Sequence, residues 1–288
     1  MTTATLVERT VQVAGRAVFV AETGDGPPVL LLHGGGPGAS GVSNYGRNID
    51  ALAANFRVIV PDLPGYGRSD KRLDQRDPFG SLAAAIRGVL DALDIDRAHL
   101  VGNSYGGACA LRLALDTPDR VERMVLMGPG GIGTTRTLPA PGLRRLLGYY
   151  GGTGPSREKL AAFIRTDLVF DGSTVPDELI DARYAASLDP AVLAHPPLRR
   201  PSGLGALWRM DFTRDRRLST LDTPTLVIWG AADRVNRPSC AGLLARTLPH
   251  GDLLLVADTG HWVQWERPAL FNQVTTAFLS ERRAAVAR

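Results

Sequence analysis

Short apolar runs recur along the chain, and most of them lack polar residues at alternate positions. A run of this kind is typical of a β-strand that is buried on both faces, as in a parallel sheet covered by helices. The predicted strands of this type are 29–33, 57–61, 99–102, 123–127, 225–229 and 253–256, after an opening hairpin at 11–13 and 18–22. Stretches with helical spacing of apolar residues separate them, at 81–93, 105–115, 240–248 and 269–279. This alternation predicts an α/β fold with a mostly parallel central sheet and flanking helices.

One segment, residues 133–211, breaks the alternation. Gly, Pro and Arg interrupt short helical stretches there, and no strand pattern appears. At about 80 residues the segment is too long for a simple connection between two strands, although a set of ordinary crossover helices is the alternative. We therefore predict one core, formed by residues 1–132 and 212–288, with residues 133–211 inserted as a helical lid.

Composition narrows the class of protein. The chain has 288 residues, 44% hydrophobic and 22% charged, which is ordinary for a folded domain. The net charge of +4 comes from scattered residues, nearly all of the basic ones Arg, so we expect no nucleic-acid partner. Cys109 and Cys240 lie far apart and outside metal-ligand spacings, which favours a cytoplasmic protein without a disulfide framework or a metal site. No apolar stretch reaches the length of a membrane span, so we expect no membrane partner.

The pattern Gly-x-Ser-x-Gly, formed by Gly102, Ser104 and Gly106, follows a predicted strand and precedes a predicted helix. A sharp strand-to-helix turn forces the serine into a tight backbone conformation, and glycines two residues to either side avoid clashes. The turn also puts the serine at a helix N-terminus, where backbone N–H groups favour developing negative charge. Ser104 is therefore the predicted nucleophile; the alternative is a glycine-rich loop used only for close packing.

A serine nucleophile needs a general base, and the chain offers five histidines. His261 follows the last predicted strand, at the edge of the sheet where catalytic groups of open parallel sheets gather. The other four are placed at the end or the start of a strand, in a turn or in the inserted segment; they are His33, His99, His250 and His195. We predict His261 as the base.

The carboxylate that orients the histidine is expected after the preceding strand, because the chain order in this topology is serine, acid, histidine. Asp233 follows the predicted strand 225–229 at that place. Asp258 is closer to His261 in sequence and is the alternative, although a residue at a strand end also serves as a turn former. We favour Asp233.

A glycine-rich stretch, residues 33–38 (HGGGPG), ends the first buried strand. Glycines leave backbone N–H groups open to close approach by a substrate oxygen, which is the requirement of an oxyanion hole. The expected donors are the amides of Gly35 and of Tyr105, the residue after the nucleophile. Dinucleotide and phosphate-loop spacings are absent, so no cofactor is implied and no metal is expected.

Several motifs together resemble the α/β-hydrolase superfamily over nearly the whole chain, and more narrowly the meta-cleavage-product hydrolases. These motifs are HGGGPG followed by Ser-Asn-Tyr, PDLPGYGRSD, GNSYGG, WGAADRVN and GHWVQWERP. The resemblance implies a serine hydrolase of aromatic catabolism with a helical lid, which cuts a carbon–carbon bond in the diketones made by ring-cleaving dioxygenases. It also implies a carboxylate-bearing small-molecule substrate and a homodimer.

The resemblance further implies roles for four binding residues. The lid run around Arg183 is similar to the stretch whose arginine binds the substrate carboxylate in the family, and Trp262 would lie beside it. Asn44 and Asn103 occupy positions that line the enol end of the substrate. Tyr105 departs from the family pattern, which often has Met or Leu there, so the pocket wall on the acyl side is expected to differ.

The residues themselves leave alternatives open. Arg183 could equally be a solvated charge on a helix face, paired with Glu178 or Asp181, and Trp262 could be a core aromatic. An arginine suits a buried carboxylate better than a lysine does, because its planar fork binds both oxygens.

The leading hypothesis is a cofactor-free hydrolase of C–C bonds in 2-hydroxy-6-oxo-hexa-2,4-dienoates. The second is an esterase, lactonase or proline-iminopeptidase-like hydrolase on the same scaffold, although Asn103 before the serine argues against the last of these. The third is a non-catalytic binding protein, which the set of Ser104, Asp233 and His261 disfavours.

Overall fold

The computed structural model describes residues 5–201 and 203–281, and its centre is one eight-stranded sheet. The strands are β1 Val7–Val13, β2 Arg16–Thr23, β3 Pro28–Leu32, β4 Arg57–Pro61, β5 Ala98–Asn103, β6 Val121–Met127, β7 Thr225–Gly230 and β8 Gly251–Val256. Their order across the sheet is β1-β2-β4-β3-β5-β6-β7-β8. β2 pairs antiparallel with β1 and β4, whereas all the other pairs are parallel. The predicted mostly parallel sheet is confirmed.

Alternate residues of the central strands point into two separate apolar clusters, one on each face of the sheet. Leu30 and Leu100 belong to the cluster covered by the helices Pro78–Ala92 and Tyr105–Asp116, whereas Leu31 and Val101 belong to the cluster on the opposite face. Both faces are buried, which is why these strands carry apolar residues at every position.

Helices flank the sheet at the predicted places, with small differences at their ends. They are α1 Gly41–Tyr45, α2 Ile49–Ala53, α3 Pro78–Ala92, α4 Tyr105–Asp116, α5 Pro141–Gly148, α6 Arg157–Ala162, α7 Asp177–Ser187, α8 Pro190–Ala194, α9 Gly203–Arg209, α10 Ser239–Thr247, α11 Val263–Glu266 and α12 Pro268–Ser280. α3 begins earlier than predicted because the Asp77 side chain caps it by accepting from the Gly80 amide at 3.1 Å, with Pro78 in the first turn. The described part of the chain contains no helix long and apolar enough to cross a bilayer.

Residues 253–256 form a strand, as predicted, but the prediction that this strand is buried on both faces is wrong. β8 is the last strand of the sheet and, among the described residues, pairs only with β7. Leu254 and Val256 pack against the cluster beneath α12, but Leu253 and Leu255 are 44% and 53% exposed. An apolar run therefore indicates a strand here without indicating its position in the sheet.

Between β6 and β7, the described residues form helices α5 to α9 with short helical turns, and no strand occurs among them. Their apolar side chains form a third cluster, which includes Leu160, Ile164 and Ile180 and also takes in Trp262 and Trp265 of the core. The segment therefore packs onto the carboxyl end of the sheet. Residues 1–4, 202 and 282–288 of the three predicted segments lie outside the described residues.

Candidate active site

Ser104 lies at the turn between β5 and α4. Its backbone has φ 53° and ψ −109°, a strained conformation for a residue with a side chain. A Cβ placed on Gly102 would be 2.5 Å from the Gly106 carbonyl oxygen, and a Cβ on Gly106 would collide with the Leu32 carbonyl. The turn can therefore form only with glycine at both positions, and it leaves the Ser104 side chain half-buried at the start of a helix.

His261 and Asp233 form a buried pair beside this turn. Nδ1 of His261 donates to Oδ2 of Asp233 at 2.7 Å, and the other carboxylate oxygen accepts from the amides of Val235 and Asn236 at 2.8 and 2.9 Å. These contacts hold Asp233 as an acceptor, so the neutral ring carries its proton on Nδ1 and a lone pair on Nε2. Nε2 of His261 has no hydrogen-bond partner among the described residues, and His261 lines the same small cavity as Ser104.

The rival groups lie elsewhere. Asp258 is exposed, on a left-handed residue of the turn after β8. His195 and His250 are also exposed. His99 is buried beside the Phe56 ring at the start of β5, and burial lowers the pKa of its imidazole to about 4. The structure thus brings Asp233, and not Asp258, to His261.

Gly35 and Tyr105 are in close contact next to Ser104. A Cβ on Gly35 would be 3.1 Å from Cβ of Tyr105. Tyr105 is the first residue of α4, so its N–H has no partner within the helix. In the described part of the chain neither amide donates a hydrogen bond. Two free N–H groups beside a serine can stabilise an oxyanion that forms there.

Arg183 lies on the buried face of α7, which it shares with Ile180 and Ser187. The side chain is 3% exposed; its Nε donates to the Pro37 carbonyl at 3.1 Å, and its guanidinium lies 5.5 Å from the Trp262 ring centre. Burial lowers the pKa of Arg183 to about 10, so the group remains charged at neutral pH. α7 can approach the loop after β3 this closely only because Gly38 has no Cβ, since a Cβ there would collide with the Arg183 carbonyl.

Arg183 has no acidic partner among the described residues. Of the two candidate partners, Asp181 pairs with Arg157 on the exposed side of α7, and Glu178 is exposed. The interpretation of Arg183 as a solvated surface charge is therefore wrong. A buried cation without a counter-ion is costly unless an anion joins it.

Asn44, Asn103 and Trp262 complete the polar wall of the small cavity. Oδ1 of Asn44 accepts from Nε1 of Trp262 at 3.1 Å and from Nε2 of Gln264 at 2.6 Å, which leaves the Asn44 amide nitrogen free to donate into the cavity. Nδ2 of Asn103 donates to the carbonyls of Met127 and His261 at 3.3 and 3.2 Å. Asn103 therefore also links the turn at Ser104 (the serine turn) to the loop after β8 that carries His261 (the histidine loop).

Two cavities meet at Ser104 and Gly35. The larger has a volume of about 160 Å³ and a mostly apolar wall, which includes Phe79, Tyr105, Ile132, Leu143, Met210 and Trp229. The smaller has a volume of about 20 Å³; its wall carries the polar side chains of Asn44, Asn103, Arg183 and His261 together with Trp262 and the apolar side chains of Leu146, Phe163 and Leu168. The site can therefore accept a molecule with an anion at one end, an apolar group at the other and a reactive carbonyl between them.

Two further residues of the site were not predicted. The Gln264 amide orients Asn44, and the Glu266 carboxylate accepts from the amides of Phe170 and Gly260 at 2.6 and 2.9 Å, which ties the inserted segment to the histidine loop. Burial raises the pKa of Glu266. Both residues follow His261 within GHWVQWE, so their place in that motif was the available signal. No group of three or more metal-ligating side chains occurs within residues 5–201 and 203–281.

The family model described as alpha/beta hydrolase fold matches residues 27–157 and 177–268. A 2-hydroxy-6-oxo-6-phenylhexa-2,4-dienoate hydrolase from Burkholderia cepacia is 40% identical over 268 residues, which cover 91% of each chain. A 2-hydroxy-6-oxononadienedioate/2-hydroxy-6-oxononatrienedioate hydrolase from Comamonas testosteroni is 37% identical over 268 residues, also 91% of each.

A solved structure is similarly close. The meta-cleavage product hydrolase from Pseudomonas fluorescens IP01 is 34% identical, with a TM-score of 0.83 over 94% of this chain and 96% of that one. The match spans both parts of the core and the inserted segment. The chain belongs to the α/β-hydrolase fold family and, within it, to the meta-cleavage product hydrolases.

Proposed function

We propose that this protein hydrolyses a C–C bond in 2-hydroxy-6-oxo-hexa-2,4-dienoates that carry an apolar group at C6. The observation that supports this most strongly is Arg183, a buried guanidinium without an acidic partner among the described residues, in the same cavity as Ser104 and His261. A dienoate carries a carboxylate at the end opposite its ketone. It can therefore place that carboxylate on Arg183 while the C6 carbonyl lies near Ser104.

The proposed reaction begins with transfer of a proton from the dienol to C5, which gives a ketone. Asn44, held by Trp262 and Gln264, would orient the enol end. Ser104, or water activated by His261, then attacks C6, and His261 takes the released proton while Asp233 stabilises the imidazolium. The C6 oxygen becomes an oxyanion that accepts from the proposed donors.

Collapse of this oxyanion breaks the bond between C5 and C6. The electron pair goes to the carbon chain as a dienolate, which takes the proton held by His261 and becomes a 2-hydroxydienoate. Water supplies the oxygen of the released carboxylic acid, either as the attacking group or by hydrolysis of the ester formed on Ser104. The proposed oxyanion donors are the amides of Gly35 and Tyr105, whose position beside Ser104 suits a tetrahedral intermediate.

The group beyond C6 would occupy the larger cavity. An apolar protein cavity of about 150 Å³ takes up a benzene ring, and this one measures about 160 Å³. A second carboxylate, as in the dienedioates named for the Comamonas relative, would need a buried cation. The basic residues that line the cavity, Arg199 and Arg237, are exposed. The cavity therefore favours a phenyl or alkyl group.

We also propose that residues 133–211 act as a lid over this site. Side chains of the segment, among them Leu138, Leu143 and Leu207, line the larger cavity together with Ser104. A lid that closes there would exclude water before bond cleavage and would control entry of the substrate.

Ester hydrolysis is the second candidate, because a serine with a His–Asp pair and two free amides also suits acyl transfer from an ester. The test compares turnover of 2-hydroxy-6-oxo-6-phenylhexa-2,4-dienoate with that of p-nitrophenyl acetate. We expect kcat/KM for the dienoate to be larger by at least tenfold, because only the dienoate engages Arg183. A ratio reversed in favour of the ester would contradict the proposed substrate.

A homodimer and a cytoplasmic location stay predictions. The homodimer rests on the resemblance, and the cytoplasmic location rests on cysteine usage. Light scattering coupled to size exclusion tests the first, and fractionation of the source cells tests the second.

A further inference from the structure

Two consecutive carbonyls in the loop after β3 each accept a hydrogen bond from a buried side chain. Nδ1 of His33 donates to the Gly34 carbonyl at 2.9 Å, and the Tyr66 hydroxyl donates to the Gly35 carbonyl at 2.9 Å. The N–H and C=O of one trans peptide unit point in opposite directions. A contact that holds the Gly34 carbonyl therefore also sets the direction of the Gly35 N–H, the proposed oxyanion donor.

The partners of the His33 ring determine which of its nitrogens carries the proton. The Leu63 amide donates to Nε2 at 2.9 Å, so Nε2 must have a lone pair. The proton of the neutral ring consequently lies on Nδ1, from which it is donated to Gly34. Burial lowers the pKa of His33, which favours this neutral form.

His33 cannot act by touching the substrate. Its side chain is fully buried, and in the described part of the chain it lines neither cavity. Its ring packs edge-on against the Tyr66 ring with 5.1 Å between centroids, and Leu63 and Tyr66 both belong to the loop after β4. The ring therefore links that loop to the Gly34–Gly35 peptide unit, whose N–H is the proposed oxyanion donor.

We propose that His33 is a positioning residue of the oxyanion site, which orients the Gly34–Gly35 peptide unit, and that Tyr66 holds the next peptide unit. The inference rests on the proposed function, because it takes the Gly35 amide as an oxyanion donor. Loss of one such donor lowers kcat by about 10²–10³-fold. A donor that is misdirected but still present should cost about 10–100-fold by the same reasoning.

Two substitutions of His33 separate positioning from a purely structural role. In His33→Asn, the side-chain amide nitrogen stands where Nδ1 was and can donate to Gly34, but nothing reaches Leu63. In His33→Gln, the side-chain oxygen stands near the Nε2 position and can accept from Leu63, but nothing donates to Gly34. The two variants thus keep opposite halves of the contact.

The assay measures kcat and KM with p-nitrophenyl acetate and with the phenyl dienoate, together with the melting temperature of each variant. We expect His33→Gln to lower kcat by about 10–100-fold on both substrates with KM within about twofold, and His33→Asn to rescue kcat to within about threefold. Equal kcat in both variants, or a larger loss in His33→Asn, would overturn the proposal.

Tyr66→Phe is the variant least able to disturb folding, because it removes one hydroxyl and keeps the ring that packs against His33. We expect it to lower kcat by about 3–10-fold at unchanged KM. If neither histidine variant folds, wild-type kcat in Tyr66→Phe overturns the proposal and a lowered kcat supports it. The ester assay detects the effect even if the dienoate is not a substrate, so failure of the proposed function remains distinguishable.

Discussion

Replacing Arg183 by Met should make the protein more stable and a poorer dienoate hydrolase at the same time. Burial lowers the pKa of Arg183 from its usual range to about 10, and a difference of this size corresponds to a cost of about 3 kcal/mol for keeping the charge buried. Because the folded-state pKa lies below that of the unfolded chain, both states are protonated below pH 10, where the cost applies in full. This cost declines as the pH rises above about 10 toward the usual pKa of an arginine.

Met fills a similar volume without the charge, as in other replacements of buried ionic groups. The change gives up the hydrogen bond from Nε to the Pro37 carbonyl, about 1 kcal/mol. We therefore expect a net gain of about 1–2 kcal/mol, which raises the melting temperature by roughly 2–5 °C at neutral pH. Calorimetry of the free protein measures it.

The same substitution removes a charge-assisted contact to the substrate carboxylate, worth about 1.5–3 kcal/mol. We expect kcat/KM on the phenyl dienoate to fall by about 10–150-fold, while turnover of p-nitrophenyl acetate stays within about twofold. Arg183→Lys is the matched control; it should recover part of the dienoate activity, because a point charge lacks the fork. A lower melting temperature with equal losses on both substrates would refute the reasoning and show that Arg183 holds the inserted segment in place.

Three other groups of substitutions test the site directly. Ser104→Ala and His261→Ala should each lower kcat on the dienoate by about 10³-fold or more, and the double variant should lose little beyond the worse single; additive losses would contradict their action as a unit. Asp233→Asn should be severe while Asp258→Asn, the exposed control, stays within about twofold in steady-state kinetics; the reverse ranking would move the acid role to Asp258. Gly106→Ala places a Cβ against a backbone carbonyl of β3 and should prevent folding, as read by circular dichroism; a wild-type melting temperature would contradict the account of the turn.

The sheet and the serine turn could be predicted because their signals are local. A strand buried on both faces is apolar along its whole length, and the turn at Ser104 needs glycine at fixed spacing. The burial of β8 could not be predicted in this way, because exposure of Leu253 and Leu255 depends on whether another strand follows in the sheet. Sequence describes the strand, whereas its place at the edge is a property of the assembled sheet.

In the smaller cavity, too, some features could be predicted from local sequence, whereas others depend on distant parts of the chain. The order of Ser104, Asp233 and His261 along the chain was sufficient to predict that Asp233 pairs with His261 and that His261 lies in the same cavity as Ser104. The face of α7 that carries Arg183 was undecided, because the residues that bury it come from the distant loop after β3 and from α11. The apolar cavity was not predictable at all, because irregular loops of residues 133–211, which have no periodicity, supply much of its wall.

The orientation of the substrate is the central claim, and a crystal structure of Ser104→Ala with bound 2-hydroxy-6-oxo-6-phenylhexa-2,4-dienoate tests it most directly. The account predicts the carboxylate on the Arg183 guanidinium, the C6 oxygen within hydrogen-bond distance of the Gly35 and Tyr105 amides, and the phenyl ring in the larger cavity. A dienoate bound the other way round, with its ring beside Arg183 or its carboxylate in the apolar cavity, would contradict it.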